Sequence, residues 1–499
     1  MTTEQRRRMW EIIPGALIWT ILIMSVVLSI FQPIWMMYFV ILFDLYWLFR
    51  ILYFTPFILI SWGRYRQALK KDWQTQAEPL PNYDRIHHVV FLPFSKEAAV
   101  VVRETLESLT KTTYPAQRMV VVLAGEARYA DIIREVEETV LPQFKDAFQG
   151  IFLTKHPFGL PGEIPGKGSN LYYAVHDVMP RLVEMGFDPD WTIVSSFDVD
   201  TVVHPKYFSA LTYEYLTVPE PTRSSYQPVA LYNNNLWESP AVVRVAMFGT
   251  TFWLMQELSR PEGMMTFSSH SMSLRMLIDV DFWPRNLVSE DSHIFLKGLV
   301  HYHGHYRVTP IHLPMSMDTV MTGDYWKALP SLYKQLRRWA WGMENFPYMM
   351  ETLGRDPKFP FWAKASWLYK QLEGGVMWAT APILIFVLGY LPFWAAPESF
   401  HGSVLFQNAP FTLQWLMRLS MSGLFISAAL SLTLLPVPPK HVSKPYVYLI
   451  ALLQWALLPA TYIIFGSIPA ADAMTRLMLG GKYRLGFNIS PKRTVQTSK

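Results

Sequence analysis

Long uncharged stretches at both ends of the chain flank a middle in which polar and apolar residues alternate. Ile12–Phe43 holds no charged residue, and Gln32-Pro33 interrupts it. The pattern predicts a span at about 12–31, a tight turn, and a second span at about 34–58. Each has roughly 20 residues or more, enough to cross a ~30 Å hydrocarbon core. The stretch is too long for the apolar part of a secretory signal, and a second apolar segment follows it. Asp44 and Arg50 fall inside the second span and are expected to face other helices or to lie near its cytoplasmic end. Three more uncharged runs, Gly374–Pro397, Leu419–Pro439 and Pro445–Ala471, come late in the chain.

Arg6, Arg7 and Arg8 precede the first span, and Arg64, Arg66, Lys70 and Lys71 follow the second. The positive-inside rule places the N-terminus and the middle of the chain in the cytoplasm. Three simple late crossings would leave the tail, with Arg476, Lys482, Arg484, Lys492 and Arg493, on the opposite side. Either the last run folds back near Pro459, or one run does not cross. The expected organisation is two N-terminal transmembrane helices (1–62), a cytoplasmic domain (63–350), an interfacial helical segment (351–373), three or four C-terminal membrane segments (374–471), and a basic cytoplasmic tail (472–499).

Within the middle, His88–Phe94 is a short apolar run, Ala98–Leu109 has helical spacing, Met119–Leu123 is a second apolar run, and a second helical stretch continues through Thr139. This βαβα order predicts an α/β domain on a parallel sheet, with ligands outside the carboxyl ends of the strands. Gly150–Leu153 and Trp191–Phe197 read as further strands. Composition agrees with a divided chain. Apolar residues make up 51% and charged ones only 17%, against about 25% charged in a soluble protein. The mean hydropathy of +0.14 is too low for membrane helices alone. The absence of Cys removes disulfides, thiolate nucleophiles and Cys-ligated metals. A net charge of +5 suits an anionic lipid surface or a phosphate-bearing substrate, and no nucleic-acid partner is expected.

Candidate chemistry sits along this frame. Asp198-Val199-Asp200 follows the strand at Trp191–Phe197, where two carboxylates at a strand end make a hard oxygen site for Mg²⁺ or Mn²⁺. A second copy, Asp279-Val280-Asp281, follows a helix-like stretch and is set aside. Glu290-Asp291 opens a helical stretch, a position that the helix dipole alone would favour. Gln335-Leu336-Arg337-Arg338-Trp339 lies on an aromatic-rich helix, where a bilayer interface is the bland explanation.

The order of these signals is more specific than any one of them. An early strand, Asp-x-Asp, Glu-Asp, Gln-x-x-Arg-Trp and then membrane helices resembles the family-2 glycosyltransferases, in particular membrane-embedded synthases of the cellulose and hyaluronan type. The resemblance implies a GT-A, Rossmann-like fold and inverting transfer from a nucleotide-activated sugar. It implies that Asp198 and Asp200 hold the donor diphosphate through Mg²⁺ or Mn²⁺, and that Asp291, with Glu290 beside it, is the general base. Gln335 and Arg338 fall on donor-binding positions and Trp339 on the acceptor platform. Lys167 places a cation near the donor. Phe487, Ser490 and Lys492 match a gating loop of cellulose synthases. The family's Asp after the second strand is absent, and Glu126 is the candidate substitute for contacting the base. A UDP-sugar is preferred, with a GDP-sugar as the alternative.

Three other signals are discounted. His301, His303 and His305 would line one face of a strand, but Gly304 interrupts them and no carboxylate joins. Gly166-Lys167-Gly168-Ser169 fails the Walker pattern at Pro161 and Gly168. The Met-rich stretch Met264–Met276 reads as packing. The leading expectation is a synthase elongating a polysaccharide at the cytoplasmic membrane face. A non-processive transferase with a lipid acceptor is the close rival, and a transporter with a regulatory domain the distant one.

Overall fold

In the computed structural model of the protein, the two early apolar runs form α1 (Thr3–Phe31) and α2 (Pro33–Lys70), parted by Gln32 alone. Residues 2–320, 324–438 and 443–486 are described. Thr2 caps α1 by accepting from the Gln5 N–H, and the Gln5 side chain returns to the Thr2 N–H. Pro33 opens α2, where its missing N–H has no intrahelical partner to lose. After α3 (Trp73–Ala77) the chain alternates through β1 (His87–Phe94), α4 (Ala99–Thr110), β2 (Met119–Glu126), α5 (Ala130–Glu135), β3 (Gly150–His156), α6 (Lys167–Glu184) and β4 (Thr192–Ser196). Next come β5 (Val202–Val203), α7 (Tyr207–Thr217), β6 (Ser224–Leu231), α8 (Ala241–Leu258), β7 (His270–Ser273), α9 (Leu274–Asp279), α10 (Glu290–His301) and β8 (Arg307–Ser316). The remaining helices are α11 (Tyr325–Ala340), α12 (Asn345–Thr352), α13 (Phe361–Phe386), α14 (Leu391–Ala395), α15 (Val404–Thr433), α16 (Lys444–Leu453), α17 (Leu458–Thr461) and α18 (Ile468–Leu479).

The strands form one sheet in the order β3-β2-β1-β4-β7-β6-β8-β5. The first four are parallel, as the βαβα pattern predicts. The rest corrects the expectation of a parallel sheet. β7 runs antiparallel between β4 and β6, and β5 antiparallel to β8, so the sheet is mixed. β7 reads His-Ser-Met-Ser, with no apolar run to announce it. It is buried nonetheless, because Ser271 Oγ lies 2.7 Å from Ser195 Oγ and 2.8 Å from the Tyr207 hydroxyl. Paired hydroxyls let polar residues fill a central strand.

The apolar helices are arranged around α2. α15 runs parallel to it: Leu413 packs with Met36 and Val40, Gly423 lies against Ile51, and Trp62 Nε1 donates to Thr433 Oγ1 at 2.9 Å. α13 and α14 run the other way, with Glu373 accepting from Tyr46 and Arg50, and Phe393 against the Met36 cluster. α1, α2 and α15 are each long and apolar enough to cross a membrane, as is the whole stretch Lys444–Leu479; α13 with α14, bent by 46°, adds a fifth candidate.

The stretch Lys444–Leu479 makes different contacts. It is broken by a 3₁₀ turn (Gln454–Leu457) and a π turn (Tyr462–Ser467) on either side of α17, which carries Pro459. Gln454 accepts from Arg244 at 2.8 Å, and Trp455 stacks on Phe252 of α8 with ring centroids 6.1 Å apart. Asp472 accepts from Arg337 of α11 at 2.8 Å, and Arg8 donates to the carbonyls of Leu477 and Met478. The stretch therefore lies along the α/β unit, from the end of α15 to the start of α1.

Candidate active site

β4 ends at Ser196, and the turn that follows is held from several sides. The Asp198 N–H donates to Ser269 Oγ at 3.2 Å, and Thr201 Oγ1 lies 2.9 Å from the same oxygen. Ser269 itself adopts φ 58°, the left-handed region that a non-glycine residue seldom enters. Such backbone persists where neighbours over-determine it, commonly at functional sites. Asp200 is buried, with Oδ2 accepting from the Asp318 N–H at 3.0 Å. Asp198 is the more open of the two, and it accepts from Ser268 Oγ at 2.6 Å and Lys167 Nζ at 2.8 Å.

Lys167 opens α6 and is buried between carboxylates. Its Nζ also donates to both Asp291 oxygens, at 2.9 and 3.2 Å. Burial works against the ammonium charge, but Asp198, Asp291 and Glu290 outweigh it and raise its pKa. Gly168 permits this close approach. A Cβ there would lie 2.5 Å from the Pro284 carbonyl oxygen and 3.1 Å from Glu290 Cβ.

Glu290 and Asp291 begin α10 and differ in setting. Glu290 is buried, and burial followed by the Asp291 charge pushes its pKa up to about 8, against Lys167 and Arg338. Asp291 keeps 22% of its side chain exposed toward the cleft. His270 Nδ1 sits 3.9 Å from Asp291 Oδ1 and 3.0 Å from the Phe267 carbonyl. Burial pushes its pKa down to about 4 despite the Asp291 charge, so a neutral imidazole donates Nδ1–H to that carbonyl.

Gln335, Arg338 and Trp339 are spaced i, i+3, i+4 on α11 and share one face. The Trp339 ring lies 5.9 Å from Tyr232 and 5.6 Å from Phe267, centroid to centroid. Arg337 points away, to Asp472. One open cleft is lined by Glu126, Lys167, Asp198, Asp200, Glu290, Asp291, Gln335, Arg338 and Trp339. Glu126 closes the end of β2, paired with Arg128, and burial raises its pKa against the pull of that arginine. Phe487, Ser490 and Lys492 lie outside the described residues.

Several cleft residues carry no recognisable motif. Thr266, Phe267 and Ser268 line it, which corrects the reading of Met264–Met276 as packing alone; Met264, Met272 and Met276 do pack in the core. Glu344, five residues after Trp339, accepts from the N–H groups of Val288 and Ser289 and from Ser289 Oγ at 2.7–3.0 Å, and from Trp341 Nε1 at 2.9 Å. It ties the start of α10 to the end of α11. Only its place just after a motif could have drawn notice. The histidine run is also corrected: His301 ends α10 and the next residues form a turn, not a strand, with His303 Nδ1 2.7 Å from Asp356. Asp279 accepts from the Tyr302 hydroxyl, outside the cleft.

Among the described residues no group of three His, Cys, Asp or Glu could enclose a metal. Two carboxylates suit Mg²⁺ or Mn²⁺ all the same, because such ions complete an octahedral shell with water and substrate phosphates. The donor set fits a metal bound together with a diphosphate, not one caged by protein.

Residues 193–468, more than half of the chain, match the model of glycosyl transferase family group 2. The chain belongs to that family. This glycosyltransferase is thus a transferase, and the match runs from the strand before Asp198 into the last apolar segment. No curated protein matches it in sequence. Among solved structures, the mannosyltransferase PcManGT of Pyrobaculum calidifontis, in complex with GDP-Man and Mn²⁺, is 16% identical over 85% of this chain and 98% of its own, with a TM-score of 0.42. TarS 1-349 of S. aureus, in complex with UDP-GlcNAc, is 14% identical over 69% of this chain and 90% of its own, with a TM-score of 0.33. At TM-scores below 0.5 these overlaps assign neither donor nor metal to the present chain.

Proposed function

We propose that the cleft of a GT-A domain binds a nucleoside-diphosphate sugar and transfers the sugar, with inversion, to a membrane-associated glycan or lipid acceptor. A UDP-sugar is the preferred donor on the family resemblance. The observation that carries this reading is that Asp198 and Asp291 both bond the Lys167 ammonium in the cleft that Gln335, Arg338 and Trp339 line. The acceptor hydroxyl oxygen forms a bond to the anomeric carbon and passes its proton to Asp291. The bond from that carbon to the diphosphate breaks, and the nucleoside diphosphate leaves with the electron pair. Asp198 and Asp200 would hold Mg²⁺ or Mn²⁺, which when bound offsets the diphosphate charge. Lys167 and Arg338 add fixed positive charge, and Glu126 faces the nucleobase. Glu290 stands beside Asp291.

On this reading α1, α2, α13 with α14, and α15 cross the membrane, while Lys444–Leu479 lies in the interface. Four crossings put both ends of the chain and the α/β unit on one side, which the flanking arginines and lysines make the cytoplasmic one. Asp291→Asn tests the chemistry: it keeps size and hydrogen bonding but accepts no proton. Donor binding should survive while transfer falls by roughly 10²-fold or more. Wild-type turnover by Asp291→Asn, or undiminished turnover in EDTA, would remove the base or the metal respectively.

A further inference from the structure

A file of aromatic rings leaves the cleft. Trp339 and Phe267 line it, and Phe267 meets Trp253 edge to face, with centroids 5.8 Å apart. Trp253 is 47% exposed although its neighbours Phe252 and Leu254 are buried. Its place follows from the period of α8. Gly249, Trp253 and Glu257 are spaced four apart and share a face. Gly249 packs against Tyr462, since a Cβ there would be 2.8 Å from its hydroxyl, and Glu257 accepts from Lys370 of α13 at 2.5 Å. Trp253 therefore lies on the face of α8 between the contact with Tyr462 and that with Lys370 of α13, with its ring half exposed. α8 then ends on α2, where Ser259 Oγ donates to the Phe57 carbonyl at 2.8 Å and the Arg260 guanidinium lies over the rings of Tyr53, Phe54 and Phe57.

The file thus joins the candidate catalytic carboxylate to the layer of membrane-facing helices. In that layer Leu457, Ile464 and Ile468 present apolar side chains outward, and Phe361 and Trp362 are exposed at the start of α13. Half-exposed indoles beside such side chains suit the headgroup level of a bilayer. Aromatic faces also suit the apolar faces of sugar rings.

We infer that the acceptor is a saccharide carried on a lipid, entering sideways from the bilayer interface, with its sugar passing over Trp253 to Phe267 and Trp339 while its chain stays among the helices. This rests on the reading of the cleft as a glycosyl-transfer site. The lipid-borne hydroxyl is the nucleophile of the step given above, and Asp291 takes its proton. Four crossings, with the last segment lying along the α/β unit, favour this over a polymer leaving through a closed ring of helices. In this assignment Trp253 is a positioning residue.

The test uses the full chain in lipid nanodiscs with Mn²⁺ and a panel of nucleotide sugars. Nucleoside diphosphate release is followed with dodecyl or methyl glycosides of glucose, galactose, mannose and N-acetylglucosamine. A dodecyl glycoside should accept sugar at concentrations where its methyl counterpart does not. Trp253→Ala should lower kcat/KM for the dodecyl glycoside about tenfold more than it lowers donor hydrolysis by water, chiefly through KM. Trp253→Phe should lie between, and it serves where the alanine variant fails to fold. Equal use of methyl and dodecyl glycosides, a long polymer made without any lipid acceptor, or equal losses of transfer and hydrolysis in both variants would overturn the inference and leave the transferase reading intact. Absence of nucleoside diphosphate release with every donor would overturn both.

Discussion

Glu344→Ala isolates the contact that joins the two motif-bearing helices. The carboxylate is buried and accepts from two backbone amides, one hydroxyl and one indole at 2.7–3.0 Å. Removing it strands the amides of Val288 and Ser289 and the Trp341 N–H, while the Ser289 hydroxyl can rotate to water. At about 1–3 kcal/mol for each unsatisfied buried donor, the local loss lies between about 3 and 9 kcal/mol, nearer the lower figure where water enters from the cleft. Ser289 is two residues before Asp291, so the start of α10 shifts with it. A displacement of about 1 Å at a reacting group is worth roughly 10²-fold in rate. The expected result is a lower Tm in detergent and a kcat reduced about 100-fold, with the donor KM changed far less. Glu344→Gln keeps the oxygen facing Val288 and Ser289 and loses only the bond from Trp341, so its kcat should stay within about fivefold of wild type. Wild-type Tm and kcat in Glu344→Ala would mean that other contacts hold residues 288–291, and that the base does not depend on this carboxylate.

Gly168→Ala forces a Cβ to within 2.5 Å of the Pro284 carbonyl, so transfer should fall at least tenfold despite the better helix propensity of alanine; full activity would show that α6 can shift freely. Glu290 has a pKa raised from 4.5 to about 8 by burial and by Asp291; its contribution to stability is fully present below about pH 4.5 and lost as pH rises through about 8. Wild-type Tm should thus decline toward alkaline pH more steeply than that of Glu290→Gln, and equal slopes would refute it. Trp339→Ala should lower transfer more than donor hydrolysis, whereas Arg338→Ala should lower both, as assays in the same preparation would report. The chain has no native Cys, so single cysteines report topology: Gly402→Cys should react with an impermeant thiol reagent on intact cells, and Glu4→Cys and Lys482→Cys only after lysis. External labelling of Lys482→Cys would refute the four-crossing arrangement.

The parallel half of the sheet was legible because β1 and β2 are buried on both faces and carry continuous apolar runs, and β4 keeps Ile193-Val194 between Trp191 and Phe197. β7 was not, since its burial depends on hydroxyl partners such as Ser195 and Tyr207, which lie distant in sequence. The acidic and Gln-x-x-Arg-Trp motifs pointed to residues that meet in one cleft. Glu344 and His270 escaped notice because their weight comes from what they touch: two amides 55 and 56 residues upstream in one case, a carboxylate and a carbonyl in the other. The final apolar stretch has the composition of a crossing. Only the partners of its buried side, Arg244, Phe252 and Arg337, distinguish a segment lying along the protein from one passing through a bilayer.

The place of β7 also sets the order in which the protein can be assembled. As the chain emerges from the ribosome, β1 to β4 can join into a parallel half-sheet once Ser196 is available, but β4 then presents a bare edge. That edge stays open until His270–Ser273 arrives, and β7 pairs on its other side with β6, which precedes α8. A nascent chain stalled or truncated between these points carries a long-lived, unpaired central strand. Such an edge readily recruits another chain. Production of shortened forms ending before residue 270 should therefore yield aggregates, while forms that extend past β8 leave only β3 and β5 as the sheet's outer strands.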